Sequence, residues 1–383
     1  MKDLEVATAD AWEDAVGSGD GPALGRDPFE DAGVADPFVA RLERIALGPP
    51  RARRAPRLQA VAPVPSEAQE AAPAVRPVAR ALERPAIPLR RRRSASPALT
   101  EVELPDAHGL LDRLLGDEDR RRLAALSHLV DGETTYDHFG FCPETIRNAF
   151  PWFQALYRWY FRVRSEGHEH VPVEGPAVLV ANHGGLLPFD GAMTVMDILL
   201  HSDPPRLARA IVDRWAGSLP WLNIFYARVG QVIGTRENFA DLLDDGQLVL
   251  VFPEGMEGVR KPITQRYRLQ AFRVGFVEQA LRARAPIVPM AIVGSDDQAP
   301  ILYDLKPLAR AFGLPFLPVT PTFPWLGPLG LLPYPVGYRI VYGEPLCFHE
   351  RFGPEGANDA RLVRYLANQV RRAVQLLLDR SRS

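Results

Sequence analysis

From about residue 171 onward, short apolar runs alternate with amphipathic helical stretches, and that alternation leaves few folds open. The runs Ala177–Ala181, Gln247–Phe252 and Ile287–Val293 are apolar at successive positions rather than at every second one. A strand of that kind is covered on both faces, which is the habit of parallel sheets. Ala210–Val212, Arg228–Ile233 and Tyr338–Tyr342 read as further strands. Between them lie helical stretches: Gly191–Leu200, Gln265–Arg284 with Leu269, Phe272, Val277 and Leu281, and Asn358–Arg380 with Leu362, Leu366, Val370, Val374 and Leu377. The pattern predicts an α/β fold over residues 171–383, with a mostly parallel central sheet flanked by helices. Ligands in such sheets sit at the carboxyl ends of the strands.

The remainder of the chain has a different character. The formal net charge of −2 hides an acidic stretch over residues 1–36 and a basic one, rich in Pro and Ala, over residues 51–93. Neither carries periodic apolar residues, so neither buries enough surface to offset the entropy of ordering. Residues 1–104 therefore read as a disordered arm, and the Arg90–Arg93 run as a solvated linker rather than a nucleic-acid site. Residues 105–170 read as a helical segment that precedes the α/β core, with Leu110, Leu111, Leu114, Leu115, Leu123, Leu126 and Leu129 on a packing helix or helix pair that breaks near Gly116.

Two stretches stand out as candidate lipid contacts. Over residues 144–164, Trp152, Phe153, Tyr157, Trp159, Tyr160 and Phe161 interleave with Arg147, Arg158, Arg162 and Arg164. Aromatic rings beside arginines suit the headgroup level of a bilayer, and they equally suit a helix packed on the protein's own sheet. Residues 311–338 are apolar but interrupted by Pro315, Pro318, Pro321, Pro324, Pro328, Pro333 and Pro335. Proline at that density excludes a regular helix and a central strand. The stretch reads either as a membrane-contacting flap or acyl-chain lid, or as a buried wrap-around segment.

Cys142 and Cys347 are the two cysteines, far apart and without metal-site spacing. The chain starts Met-Lys-Asp-Leu-Glu without an apolar signal core, and no stretch reaches the roughly eighteen uninterrupted apolar residues of a membrane-spanning helix. The expectation is a cytoplasmic protein associated peripherally with a membrane surface. His168-Glu169-His170 reads as a surface loop, since no third ligand lies nearby in sequence. No metal and no cofactor are expected.

The chemistry concentrates at two strand ends. Ala177–Ala181 leads into Asn182-His183-Gly184-Gly185-Leu186-Leu187-Pro188-Phe189-Asp190, and Gln247–Phe252 leads into Pro253-Glu254-Gly255. A histidine titrates near working pH and so makes a general base. A carboxylate on its other ring nitrogen fixes the tautomer and stabilises the imidazolium. The spacer of six residues needs a tight turn to bring Asp190 back to His183, and Gly184, Gly185 and Pro188 permit one.

These segments resemble the first and third sequence blocks of the glycerolipid acyltransferase family, the lysophosphatidate acyltransferase-like enzymes. Gly230–Arg236 and Ile287–Ala291 resemble its second and fourth blocks, in order and at similar intervals. The resemblance covers roughly residues 170–345. The family's first block usually has four residues between His and Asp; the longer form here is closest to a branch that includes neutral-glyceride acyltransferases. The resemblance implies His183 and Asp190 in catalysis. It implies Arg236, Glu254 and Gly255 in binding the acyl acceptor, with Asn182, Gly234, Pro253 and Arg260 beside them. The donor it implies is acyl-CoA or an acyl carrier protein, and the acceptor a lysophosphatidate or other lysophospholipid. The third block continues Met256-Glu257-Gly258-Val259-Arg260-Lys261 rather than with the family's usual Thr-Arg-Ser. That change weakens a phosphate site and keeps a neutral mono- or diacylglycerol open. A reading of another class is a non-catalytic lipid-binding scaffold on the same fold, with the charged arm as its working part.

Overall fold

The computed structural model describes residues 115–130, 135–217, 221–311 and 316–382. The arm expected over residues 1–104 and the first residues of the helical segment lie outside that range. The described part of that segment forms helix α1 (Asp117–Ala125) and helix α2 (Pro143–Ala155), and α2 widens into a π-turn over Leu156–Tyr160.

The core is a seven-stranded sheet. Its strands are β1 (Arg164–Glu166), β2 (Ala177–Ala181), β3 (Ala208–Val212), β4 (Val232–Ile233), β5 (Leu248–Val251), β6 (Ile287–Val293) and β9 (Arg339–Tyr342), in spatial order β1-β9-β6-β2-β5-β3-β4. Strands β7 (Tyr303–Asp304) and β8 (Pro318–Val319) form a separate antiparallel pair. All neighbours in the large sheet are parallel except β9, which runs antiparallel to β6. The central strand is β2. Its Val178 pairs with Val249 of β5 on one side and Ile287 of β6 on the other.

Every residue of β2 is buried, and the period of two along a strand divides them between two cores. Ala177, Leu179 and Ala181 face a cluster that takes in Leu123 of α1, Phe150 of α2, and Met193 and Ile198 of helix α3 (Phe189–His201). Val178 and Val180 face the opposite cluster. Helix α4 (Leu222–Arg228) sits outside these cores, with no residue of its own buried. The second cluster is closed by helix α5 (Arg236–Asp244), helix α7 (Gly275–Arg282) and helix α8 (Ala360–Arg382); the one-turn helix α6 (Met256–Val259) follows β5. Each fully buried Leu, Ile or Val contributes about 1.5–3 kcal/mol relative to exposure, so the doubly covered strands dominate the stability. Helix starts are fixed locally. The Thr235 hydroxyl accepts from the Asn238 N–H at 3.0 Å, and the Asp359 carboxylate accepts from the N–H groups of Arg361 and Leu362.

Two predicted elements differ from the structure. Arg228–Ile233 is strand only at Val232–Ile233, because α4 occupies the residues up to Arg228. The helix expected over Gln265–Arg284 is confined to Gly275–Arg282. Tyr267 has a φ of +62°, which no helix tolerates, and Leu269 and Phe272 reach the core from an irregular segment instead.

Residues 144–164 split between the two readings of that stretch. Ile146, Phe150, Tyr157 and Phe161 are buried in the core, while Trp152 and Trp159 point outward.

Candidate active site

The parallel registers of β2, β5 and β6 bring three strand ends side by side. Beyond Ala181 come Asn182 and His183; beyond Val251 come Phe252, Pro253 and Glu254; beyond Val293 come Gly294, Ser295 and Asp296. The cleft therefore lies at the carboxyl edge, where the central strand has neighbours on both sides.

Asp190 sits in the first turn of α3 and is fully buried. Its Oδ2 accepts from Nδ1 of His183 at 2.7 Å and from the Gly184 N–H at 3.1 Å, while Oδ1 accepts from the Gly191 N–H at 2.8 Å. The six-residue spacer is spanned by a turn in which Gly185 has a φ of +80°. A Cβ on Gly185 would overlap the Gln298 side chain, and one on Gly184 would overlap Asp296. Gln298 donates from Nε2 to the Gly184 carbonyl at 3.0 Å, so the β6 side clamps this turn. The imidazole stacks on Phe252, with ring centroids 4.5 Å apart, and its side chain retains 17% exposure. With Nδ1 engaged, Nε2 is the nitrogen available to a substrate. Burial works against the charged ring, but the field and hydrogen bond of Asp190, helped by Glu254, outweigh it and hold the His183 pKa above the usual value; Lys261 opposes them.

Three residues expected at the acceptor hold hydrogen bonds inside the protein. Asn182 is fully buried; its amide donates to the Ile292 carbonyl and Ser295 Oγ and accepts from the Ile292 N–H, so it ties β2 to β6. Glu254 is 2% exposed. Its Oε1 accepts from the His183 backbone N–H at 3.0 Å and its Oε2 from the Gln270 N–H at 2.7 Å. Buried backbone donors demand acceptors, and here one occupies each oxygen of the carboxylate. Pro253 is likewise buried, its carbonyl accepting from the Arg273 N–H.

Of the other expected acceptor residues, Gly234 packs against Ile211, and Gly255 precedes α6 opposite the Arg273 guanidinium. Arg260 pairs with Asp304 at 2.9 Å and with Glu257 at 3.5 Å. Arg236, 57% exposed, pairs with Glu278 at 3.2 Å.

Sequence reasoning missed several residues that shape the cleft. Phe252 backs the imidazole, and Gln298 holds the Gly184 carbonyl. Gly258 lets α6 approach closely, since a Cβ there would lie 2.9 Å from Glu254 Cβ and 3.0 Å from the His183 carbonyl. Lys261 lies between two carboxylates. The glycine in Met256-Glu257-Gly258 was the one visible signal.

A second polar cluster surrounds Asp197, two turns further along α3. Tyr157, Ser165 and Tyr342 donate hydroxyl hydrogen bonds to its carboxylate, and His168 and His201 also reach it. Burial opposes its charge, yet these hydrogen bonds hold its pKa well below the usual carboxylate range. His168 thus has two potential metal-ligating neighbours, Asp197 and His201, contrary to the sequence expectation. The hydroxyl and imidazole donors account for the carboxylate's oxygens without a metal. His170 turns elsewhere, to the Tyr342 carbonyl.

The family model described as Acyltransferase matches residues 162–293, the span that holds both strand-end motifs. An uncharacterized protein of Mycobacterium tuberculosis is 40% identical over 260 residues, which cover 67% of this chain and 72% of the relative. A Mycobacterium leprae protein matches at the same identity, over 70% of its own length. The Bos taurus DGAT1/2-independent enzyme synthesizing storage lipids is 25% identical over 62% of this chain and 64% of its own. Among solved structures, the 1-acyl-sn-glycerophosphate (LPA) acyltransferase PlsC from Thermotoga maritima matches at 17% identity and a TM-score of 0.40, covering 72% of this chain and 88% of that one.

Proposed function

We propose, from the acyltransferase domain matched over residues 162–293, that the protein moves a fatty acyl group from a thioester donor, acyl-CoA or an acyl carrier protein, to the hydroxyl of a glycerolipid. The observation that carries this reading is the 2.7 Å contact of His183 Nδ1 with the buried Asp190 carboxylate, which leaves Nε2 for the substrate. Nε2 takes the hydroxyl proton as the acceptor oxygen attacks the thioester carbonyl. Asp190 stabilises the imidazolium that forms. Collapse of the tetrahedral intermediate breaks the C–S bond, and the imidazolium returns its proton to the departing thiolate. No covalent acyl-enzyme is needed. Purified protein with acyl-CoA and a panel of acceptors, read by lipid mass spectrometry, tests the assignment; absence of any acylated glycerolipid across the panel contradicts it.

A neutral glyceride is the acceptor favoured here. Arg260 is held by Asp304 and Glu257, and Lys261 is buried between Glu254 and Asp296, so the cations of the third block are committed to internal carboxylates. The name of the bovine relative, an enzyme synthesizing storage lipids, agrees. A phosphorylated acceptor is the second reading, favoured by the largely exposed Arg236 guanidinium, whose planar fork suits phosphate oxygens. Arg236→Ala separates them: loss of turnover with phosphorylated acceptors supports the second reading, and turnover undiminished with every acceptor supports the first.

Peripheral docking on a bilayer completes this reading. Among the described residues no helix is long and apolar enough to cross a membrane. An exposed apolar ridge instead runs along the molecule. Trp152 and Trp159 project from α2 and its π-turn, and Trp325, Leu326, Leu329 and Leu332 from the proline-rich segment. The Tyr160 hydroxyl joins the two parts by donating to the Pro333 carbonyl at 2.6 Å. Phe161 stacks near Phe189, the neighbour of Asp190, so the ridge adjoins the catalytic turn. Exposed Arg158 and Arg162 flank the tryptophans and suit anionic headgroups. Flotation with phosphatidylcholine vesicles, with and without phosphatidylglycerol, is expected to carry the protein upward. A Trp152→Ser/Trp159→Ser variant that floats as well as the parent protein contradicts the docking surface.

A further inference from the structure

We propose that Lys261 is a positioning residue for the acyl-transfer site, the buried countercharge that locks the ends of β5 and β6 beneath the His183 turn. The proposal deepens the function proposed above by adding a residue that touches no substrate.

Lys261 is 7% exposed. Its Nζ lies 3.4 Å from Glu254 Oε2 and 3.5 Å from Asp296 Oδ2, two ion pairs without hydrogen-bond geometry, and among the described residues it finds no hydrogen-bond acceptor. Each carboxylate it faces supports the catalytic turn in its own way. Glu254 holds the His183 backbone N–H, and Asp296 packs so closely on Gly184 that a Cβ there has no room. The ammonium group thus bridges two strand ends, with the turn of the central strand resting on both partners.

Two carboxylates at this depth need a cation, because an uncompensated buried charge is costly. The groups around the pair come from every adjoining element: Asp190 on α3, Tyr267 before α7, Asp297 beyond β6 and Tyr338 before β9. Tyr267 donates its hydroxyl to Asp297 and its backbone N–H to Asp296. Arg266 pairs with Asp297 at 3.1 Å and His183 adjoins Glu254, but among the described residues Lys261 is the cation whose side chain pairs with both Glu254 and Asp296. Burial pushes the Asp296 carboxyl upward, and Lys261 is the main influence opposing that rise. The same ammonium opposes protonation of His183, which keeps the base available.

The test compares Lys261→Met with the double variant Lys261→Met/Asp296→Asn, using thermal melts from pH 5 to 8 and kcat and KM across the same range. In Lys261→Met the Asp296 carboxyl, already pushed up by burial, loses the cation that opposes that rise. Its raised pKa in the folded state means that stability is retained at low pH and lost as pH rises through that value. We expect the melting temperature to fall by roughly 10 °C at pH 8 and by much less at pH 5. We also expect the loss of activity to appear in kcat rather than KM, and to be larger at pH 8 than at pH 5. The double variant removes the surplus negative charge while its amide oxygen still accepts from Tyr267, and is expected to recover most of both losses. A loss that is uniform across pH, or one that Asp296→Asn fails to rescue, reduces Lys261 to a packing residue and overturns the proposal. The melts need no substrate, so they stand even where the acceptor assignment fails.

Discussion

Asp190→Asn preserves the shape of the carboxylate and removes its charge, and the hydrogen bonds around it set the cost. Three N–H donors converge on Asp190: Nδ1 of His183 and the Gly184 N–H on Oδ2, and the Gly191 N–H on Oδ1. An amide has one acceptor oxygen. If that oxygen faces Gly191, the NH2 group meets the Gly184 donor and Nδ1, and the ring takes the tautomer with its proton on Nε2. If it faces Gly184 and His183, the Gly191 donor meets the NH2 group. One buried donor is unsatisfied in either orientation, which costs about 1–3 kcal/mol of stability. That corresponds to a melting temperature lower by only a few degrees for a domain of this size. The chemical cost is larger. Losing a hydrogen bond to a charged partner removes about 1.5–3 kcal/mol from the imidazolium-like transition state, one to two powers of ten in rate. Tautomer inversion takes away the base itself, whose contribution is about a hundred- to ten-thousandfold. The combined expectation is a fall in kcat of about a thousandfold with KM little altered. Steady-state release of CoA from acyl-CoA, detected with a thiol reagent, measures it, alongside a melt that confirms folding. A folded Asp190→Asn enzyme within tenfold of the parent rate refutes the orienting role.

Because Asp190 and Glu254 hold the His183 pKa above the ordinary histidine value, the acid limb of kcat/KM is expected to fall above pH 6.5. The base must be neutral, so activity drops as pH decreases through that limb; a stopped-flow or discontinuous pH profile shows it. Gly258→Ala pushes a methyl group within about 3 Å of Glu254 and His183; it is expected to cost about 1–3 kcal/mol in chemical denaturation and to reduce kcat together with stability.

Much of the fold was legible in the chain because burial imposes composition. Strands β2, β5 and β6 are covered on both faces, so they announce themselves as apolar runs, and their carboxyl ends bracket the cleft. Strand β1 was not legible. Its three residues, Arg164, Ser165 and Glu166, are polar and form an edge that pairs only with β9. The segment after Gln265 has apolar spacing that mimics a helix, yet its rings are delivered to the core by an irregular backbone.

At the site, His183 and Asp190 were readable from the turn chemistry between them. The engagement of Glu254 was not, because the donors that occupy it belong to His183 and Gln270, 71 residues before it and 16 after. A sequence shows that a carboxylate is present; it does not show which backbone groups have claimed its oxygens. Lys261 was visible as a cation of the third block, but its burial between two carboxylates was not, since its partners come from two different strand ends.

The most direct test of the central claim is a single-turnover measurement on His183→Gln with radiolabelled acyl-CoA and the best acceptor found for the parent protein. The account predicts a folded protein that loses acyl transfer by at least about a thousandfold and gains no compensating hydrolysis of the thioester. Transfer at a rate close to that of the parent would mean that another group takes the acceptor's proton, and that His183 merely braces the turn.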